Sequence, residues 1–530
     1  VYEEEFGVIE GWHWSPDGKY IAYWQLDENR VPEFSISHFD SLHLNWNHMR
    51  YPKAGDANSI VKIGVVNIET GNNVWMDIGE EDDIYIPRLK WLPDSRALAM
   101  LRLNRLQNHV EILLGDPHTG QTKIVFEESD ERYLDLVSGD WTFLKKKNQF
   151  VWLSERDGFK HIYLFDLNGK LVRQLTKGRW DVRSVSAVDE SGQVIYFTAA
   201  KKSPLENHLY RVKFNGKGLT RLTQSPGWHR VNFSPTYDTY IDFFSQANVP
   251  AKVGLFTRDG KLIDMLVENE IEALKQVAIS APEFFSFETS DRVSLNAWMI
   301  KPLDFDRNAT YPLLMYVYGG PGSQTVRNSW GGSRFLWHQM LAQKGYIVAS
   351  VDNRGTGARG AEFKKMTYKN LGHWEVNDQI EAAKYFGSLP YIDKERIGIW
   401  GWSYGGYMAS LSLFKGNDVF KAAIAGAPVT HWKFYDTIYT ERYMQTPQLN
   451  HQGYEISAPL NHAKKLKGNL LVIHGTSDDN VHFQNSVSLV GELIKHNKQF
   501  QTMFYPGEYH GVRRRVHLYT MMTNFVLEKL

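Results

Sequence analysis

The sequence predicts two halves of different class: an all-β half over residues 1–275 and an α/β half over residues 276–530. Three observations carry the prediction. Turn motifs, most of them bearing an aromatic residue, recur roughly every 45–50 residues after the first interval of the first half. In the second half, apolar runs alternate with amphipathic stretches of helical period. A G-x-S-x-G segment, residues 401–405, lies between one such run and one such helix.

In the first half the turn motifs begin at Trp14, Trp91, Trp141, Val188 and Phe233. The first interval is longer than the others and holds an insertion at residues 32–58. Each turn leads into an apolar strand, such as residues 20–24 or 194–197, and most units then carry a second hairpin, clearest at residues 161–170. Four short strands per repeat is the pattern of a β-propeller blade. Five units are visible, so the expectation is a β-propeller that is incomplete at the N-terminus. Because the chain opens on Val1, it reads as a segment whose further blades and any targeting sequence lie upstream.

In the second half, residues 312–318, 346–352, 396–400 and 469–474 read as parallel strands, residues 375–389 as a helix between them and residues 516–530 as a closing helix. Gly401-Trp402-Ser403-Tyr404-Gly405 follows one of these strands and opens a helix. Strand, tight turn and helix are the context a nucleophile elbow requires, which marks Ser403 as the candidate nucleophile of an α/β-hydrolase domain.

A serine nucleophile needs a base and a carboxylate to orient that base, and in this fold they follow the serine in the order acid, then histidine. Asp478 and Asp479 both sit just past the strand at residues 470–473, and local sequence does not choose between them. His510 falls on the loop after the next strand and is the candidate base. His474 comes too early in that order and reads as a packed or solvated histidine, and His482 is a further rival. The oxyanion requires two donors. One is the backbone N–H of Tyr404, and the other is expected from the Gly-rich loop of residues 316–322, where the Tyr318 phenol could serve.

Composition excludes several classes. Lys+Arg and Asp+Glu both number 60, so there is no charge excess for nucleic acid. The chain has no cysteine, which removes disulfides and thiolate metal sites. No apolar run reaches the roughly 18 residues of a membrane span. Aromatic residues make up 14%, with 17 Trp and 27 Tyr, which suits β-rich architecture and aromatic-lined sites.

Residues 401–407 (GWSYGGY), 352–357 (DNRGTG), 435–444 (YDTIYTERYM), 474–483 (HGTSDDNVHF) and 2–5 (YEEE) together resemble the dipeptidyl peptidase IV branch of the prolyl oligopeptidase family of serine peptidases, over essentially the whole chain. The resemblance implies that Asp478 is the triad acid, that Tyr318 is the oxyanion tyrosine and that Asn480 binds a substrate carbonyl. It implies that Val429, Trp432, Tyr435 and Tyr439, with Tyr404 beside them, form a proline pocket. Glu4 and Glu5 would grip a free substrate amine. The expected activity is release of X-Pro, and less readily X-Ala, dipeptides through an acyl-enzyme, with no metal or organic cofactor. Homodimerisation and a periplasmic or extracellular location are further expectations of the resemblance. The departures are the absent upstream blades with an arginine they carry, the absent short N-terminal segment of the hydrolase domain, and Gly426, which is expected at a pocket wall. The rival readings are a tripeptidyl or acylaminoacyl peptidase of the same family and a non-catalytic propeller binding protein. Residues 2–5 also have a bland reading as a solvated acidic turn, and Tyr435 and Tyr439, four apart, as one face of a core helix.

Overall fold

The computed structural model describes residues 1–39, 42–136 and 141–530. The first half forms five four-stranded antiparallel sheets, each built from strands consecutive in the chain except where the insertion interrupts the first. That sheet runs Trp12–Trp14, Tyr20–Asp27, Ile60–Asn67 and Asn73–Trp75; the last runs from Trp228–Phe233 to Leu262–Val267. Strand alternation makes the blades stack. Ile63 and Val65 of the first blade pack with Leu89, Leu98 and Met100 of the second, and Phe126 of the second packs with Phe150 and Phe165 of the third. The same happens between the third and fourth blades through Val151, Ile162, Ile195 and Phe197.

Between the second and third strands of the first blade, the insertion forms a separate hairpin, Glu33–His38 paired with Asn45–Arg50. Asp40 and Ser41, within that insertion, lie outside the described residues.

The last propeller strand ends at Val267 and the first strand of the second half starts at Glu283. From there one eight-stranded sheet forms, in the order Glu283–Glu288, Ser294–Ile300, Ile347–Asp352, Tyr311–Tyr316, Ile392–Trp402, Ala422–Gly426, Asn469–Gly475 and Gln501–Tyr505. The first three strands pair antiparallel and the remaining pairs are parallel. Both faces are covered, as the uninterrupted apolar runs require. Leu313, Met315, Ala349 and Val351 face a core with the helices Trp374–Gly387, Tyr404–Lys415 and Gln484–Lys495. Leu314, Tyr316 and Val348 face the other core, closed by the helices Gly332–Gln343 and Arg515–Lys529.

Chain order reverses across the strands Tyr311–Tyr316 and Ile392–Trp402. The crevice beyond their C-terminal ends is where open α/β sheets place their ligands. Ser403 follows directly on the second of those strands, and Tyr318 lies two residues past the end of the first.

Candidate active site

Ser403 occupies φ 60°, ψ −120°, a conformation costly for a residue with a side chain. The surrounding backbone enforces it. Ser403 N–H donates to the Gly426 carbonyl at 2.8 Å, and Tyr407 N–H donates to the Ser403 carbonyl at 3.0 Å. A Cβ at Gly401 would run into the carbonyls of Val317 and Gly405, so this turn admits only glycine there. The Tyr404 N–H lies at the first position of the following helix, where the backbone leaves its N–H groups without intrahelical partners. It is therefore free to meet a developing oxyanion.

The geometry distinguishes the two adjacent aspartates. Asp478 is buried and its Oδ2 accepts from His510 Nδ1 at 2.8 Å and from His474 Nε2 at 3.0 Å. Its Oδ1 accepts the backbone N–H groups of Asn480 (3.0 Å) and Val481 (2.9 Å). Asp479 is exposed. Burial alone would raise the Asp478 carboxyl, but the hydrogen bonds from the two histidines hold it down at about 2. It is thus ionised at any working pH.

His474 is fully buried, as expected of a packed histidine, yet it has a place in the site that its sequence position concealed. Its Nε2–H faces Asp478 Oδ2 and the Val481 carbonyl at 2.8 Å, which leaves Nδ1 to accept from Ser486 Oγ at 2.7 Å. His482 is not a base. It lies flat on Phe34 of the propeller hairpin (3.7 Å between ring centroids, 3° between planes) and against Tyr51 at 4.1 Å. Burial pushes it down to about 3, so it stays neutral.

His510 remains partly exposed, and its carbonyl accepts the Trp402 indole N–H at 2.9 Å, which ties the base loop to the residue before the nucleophile. No Ser403–His510 hydrogen bond is formed in this structure. Such bonds are often long without substrate and tighten when it binds.

Tyr318 lines the cavity beside Ser403, and its ring lies 6.0 Å from that of Tyr404. Burial raises its phenol to about 12, so it is a neutral O–H donor. The Tyr404 phenol points away from the reacting centre and donates to Glu375 Oε1 at 2.9 Å. Glu375 is fully buried, its other oxygen has no partner, and burial pushes its carboxyl up to about 7. Nothing in the sequence marked this residue: Asp378 and Gln379, three and four positions on, share its buried helix face.

On the other side of Tyr404 stands the aromatic box. Trp432 lies 5.5 Å from Tyr404 and stacks on Tyr439 at 6.0 Å, and Tyr435 meets Tyr439 edge-on at 5.4 Å. Val429 is buried in the same core. Tyr435 and Tyr439 do not share a helix face, contrary to their spacing. Asp436 caps the helix Thr437–Met444 by accepting Tyr439 N–H at 2.9 Å, so Tyr435 precedes the helix in extended conformation. Gly426 also departs from expectation. A Cβ there would collide with the Trp402 indole, so the position is closed by Trp402 and its lack of a side chain does not widen the box.

The acidic turn is a short helix, Tyr2–Phe6, ended by Gly7 in left-handed conformation. Tyr2 and Phe6 bury against Tyr85 with ring centroids 6.0 and 5.4 Å away, which fixes the turn and aims the residues between them. Glu4 Oε1 accepts a hydrogen bond from the Asn480 side chain, two residues from the triad acid. Asn480 Oδ1 in turn accepts from the Tyr435 hydroxyl at 3.1 Å. Burial, reinforced by the nearby Asp436 carboxylate, raises Glu4 to about 7 and Glu5 to about 9. Asp436 itself rises to about 6, chiefly through burial. Three carboxyl groups crowd one spot, with Arg442 and the Val1 amine as nearby cations, and their mutual repulsion favours an incoming ammonium.

The halves are clasped firmly. Arg105 of the propeller forks onto buried Glu441 of the helix Thr437–Met444 at 2.6 and 2.7 Å, and Gly55 N–H joins it at 2.8 Å. Ala54 N–H donates to the Tyr435 carbonyl at 2.9 Å. Lys364 and Lys365 of the second half meet Asp130, Asp135 and Glu155 of the first in a second, largely buried ion network.

Fold and site together define a propeller-capped α/β-hydrolase with a serine-type triad. Residues 1–251 match the family model described as the dipeptidyl peptidase IV N-terminal region, and residues 334–530 match that of the prolyl oligopeptidase family. The chain belongs to the dipeptidyl peptidase IV group of the prolyl oligopeptidase family. It superposes on the crystal structure of Porphyromonas gingivalis dipeptidyl peptidase 4 with a TM-score of 0.96 and 40% identity, covering 100% of this chain and 76% of that one. It is 33% identical over 540 residues to dipeptidyl peptidase 4 of Trichophyton equinum, covering 97% of this chain and 69% of the relative. It is 34% identical over 568 residues to the probable dipeptidyl-aminopeptidase B of Trichophyton verrucosum, where it covers 98% of its own length and 62% of the relative's. The chain thus spans roughly two thirds of the length of these curated relatives.

Proposed function

We propose that the protein is a serine exopeptidase that releases X-Pro, and less readily X-Ala, dipeptides from free peptide N-termini. The observation that carries the proposal is the Glu4–Asn480 contact, which sets a crowded carboxyl pair two residues from the triad acid Asp478. An ammonium held there by charge-assisted hydrogen bonds leaves room for only a short stretch of chain before Ser403. The aromatic box beside Tyr404 then takes the second residue. A proline ring fits such a box because it is compact and apolar and, within a peptide, brings no N–H that would be stranded.

In this mechanism Ser403 Oγ attacks the carbonyl after the boxed residue while His510 Nε2 takes its proton. Asp478 holds His510 with Nδ1–H pointing inward and balances the imidazolium that forms. Tyr404 N–H and the Tyr318 hydroxyl receive the oxyanion. His510 passes its proton to the departing amine, and water, activated by the same histidine, then frees the dipeptide from Ser403.

The test is mass analysis of products from Gly-Pro-, Gly-Ala- and Gly-Gly-initiated peptides, each with a free or acetylated amine, incubated with the full-length protein. Dipeptide release from the free-amine Pro peptide first, the Ala peptide more slowly, and neither acetylated form is the expected result. Efficient turnover of the acetylated Pro peptide would point instead to an acylaminoacyl or endopeptidase activity. A homodimer in the periplasm or outside the cell, the expectation carried by the sequence resemblance alone, completes the proposal; light scattering on the purified protein and fractionation of the source cells test each part.

A further inference from the structure

Building on the proposed dipeptide release, we infer that the cavity on the far side of Ser403 from the aromatic box receives the departing peptide, and that Arg334 and Arg515 select a carboxylate on it. Ser403 stands where the two cores of the sheet meet. Tyr404, Val429, Trp432 and Tyr435 belong to the core on one face, whereas Tyr316, Trp400, Val512 and Leu518 belong to the core on the other. With the ammonium and the second residue held on the first side, the chain beyond the scissile bond leaves over the second.

On that side a cavity of ≈ 380 Å³ opens directly beside Ser403, bounded by Tyr318, Trp402, Tyr519, Arg334 and Arg515. Its size is that of a small-ligand site. The two guanidinium groups are what distinguish it. Arg334 is half-buried with its guanidinium 4.6 Å from the Tyr316 ring centroid, and Arg515 is exposed at the mouth. Neither pairs with a carboxylate among the described residues.

The acids nearby pair with neither guanidinium. Glu508 accepts the Arg513 backbone N–H at 2.8 Å and lies 3.6 Å from Arg514 Nε. Asp352, behind Tyr316, is buried and takes the backbone N–H groups of Thr325 (2.8 Å) and Val326 (3.2 Å), and burial raises its carboxyl. The cavity is therefore left with unpaired positive charge against aromatic walls, a setting in which guanidinium groups favour carboxylates.

The carboxylate can belong to an acidic side chain shortly after the scissile bond or to the C-terminus of a short peptide. Three peptides separate these sources: Gly-Pro-Ala-Glu-amide, Gly-Pro-Ala-Gln-amide, and Gly-Pro-Ala-Gln with its terminal carboxylate free. Dipeptide release by the full-length protein gives kcat/KM for each. One or both anionic peptides should exceed the neutral amide by about three- to tenfold, the range of partly exposed ion pairs. That advantage should shrink as salt is raised. The Arg334→Gln, Arg515→Gln double variant should bring the anionic-to-neutral ratio close to one; because the ratio is taken within one variant, any general loss of activity cancels. Equal rates for all three peptides, or a ratio that survives the double substitution, would overturn the inference and leave dipeptide release standing. Absence of dipeptide release from every peptide would remove that reading and this inference with it.

Discussion

The second half of the molecule carries Ser403, Asp478 and His510 on loops that leave one sheet, each held by neighbours within that same half. The propeller half reaches the same spot by a single helical turn and an inserted hairpin, and its contacts there cross hundreds of residues; Glu4 and Asn480 lie 476 positions apart. The difference separates two tasks. The sheet half builds the machinery that makes and breaks the acyl bond. On the proposed function, the propeller half decides which chain ends reach it, with charge brought from outside the sheet. Damage to the first should abolish chemistry on any substrate, and damage to the second should abolish only recognition of the amine.

The largest effects should come from the triad. Ser403→Ala and His510→Ala should each lower kcat by about 10⁵–10⁶, with little further loss in the double variant, because the residues act as a unit. Asp478→Asn should cost about 10⁴, whereas exposed Asp479→Asn should leave kcat nearly unchanged. A larger loss from Asp479→Asn would reverse the assignment of the acid. Next is Tyr318→Phe, which removes one hydroxyl and should cost about 10²–10³ in kcat. An unaltered kcat in a folded Tyr318→Phe protein would exclude Tyr318 from the oxyanion site.

Smaller losses should follow from the supporting residues. His474→Phe removes one of two donors from Asp478 Oδ2 and should cost about 10–100-fold in kcat, in line with a hydrogen bond to a charged group. It should also raise the acid limb of the kcat profile, since one of the hydrogen bonds that holds Asp478 low is gone. In the clasp, Arg105→Met strands buried Glu441 and should cost about 3–5 kcal/mol of stability, read by thermal denaturation.

The smallest effect is in pH. The clamp carboxyls are raised, Glu4 to about 7 and Glu5 to about 9, so the folded protein without substrate holds more protons than the unfolded chain between about pH 4.5 and 9. Their contribution to stability is present below the unfolded value and is lost as pH rises through the folded values. In turnover, a protonated clamp cannot pair an ammonium, so KM for free-amine substrates should rise several-fold as pH falls below about 7. Glu4→Gln should flatten that limb. A KM independent of pH between 6 and 8 would count against the clamp.

The fold was legible in the sequence because period-two strands and helical stretches announce themselves locally. Ser403, His510 and the five blades all follow from such patterns. The inserted hairpin was visible only as a long interval, since spacing reports extra residues without their shape. Asp478 and Asp479 could not be told apart, because the choice is made by two backbone N–H groups that reach Asp478 Oδ1. The i, i+4 reading of Tyr435 failed because Asp436 caps the helix one residue later. His474 was read as a packed histidine, but its hydrogen bond to Asp478 was not, and Glu375 escaped notice, because no local pattern marks such buried contacts. The clamp was reachable only through family resemblance, as its partner is in the other half of the chain.

The division of labour is tested most directly by two rates measured side by side on full-length protein carrying Glu4→Gln, Glu5→Gln or both: kcat/KM for a free-amine X-Pro substrate, and the rate at which a small fluorophosphonate labels Ser403. Losing a desolvated charge partner costs about 2–5 kcal/mol, so kcat/KM should fall by about 30-fold to several thousandfold while labelling proceeds at the unmodified rate. If both rates fell together, or if kcat/KM survived the double substitution, the propeller half would not be the source of amine recognition.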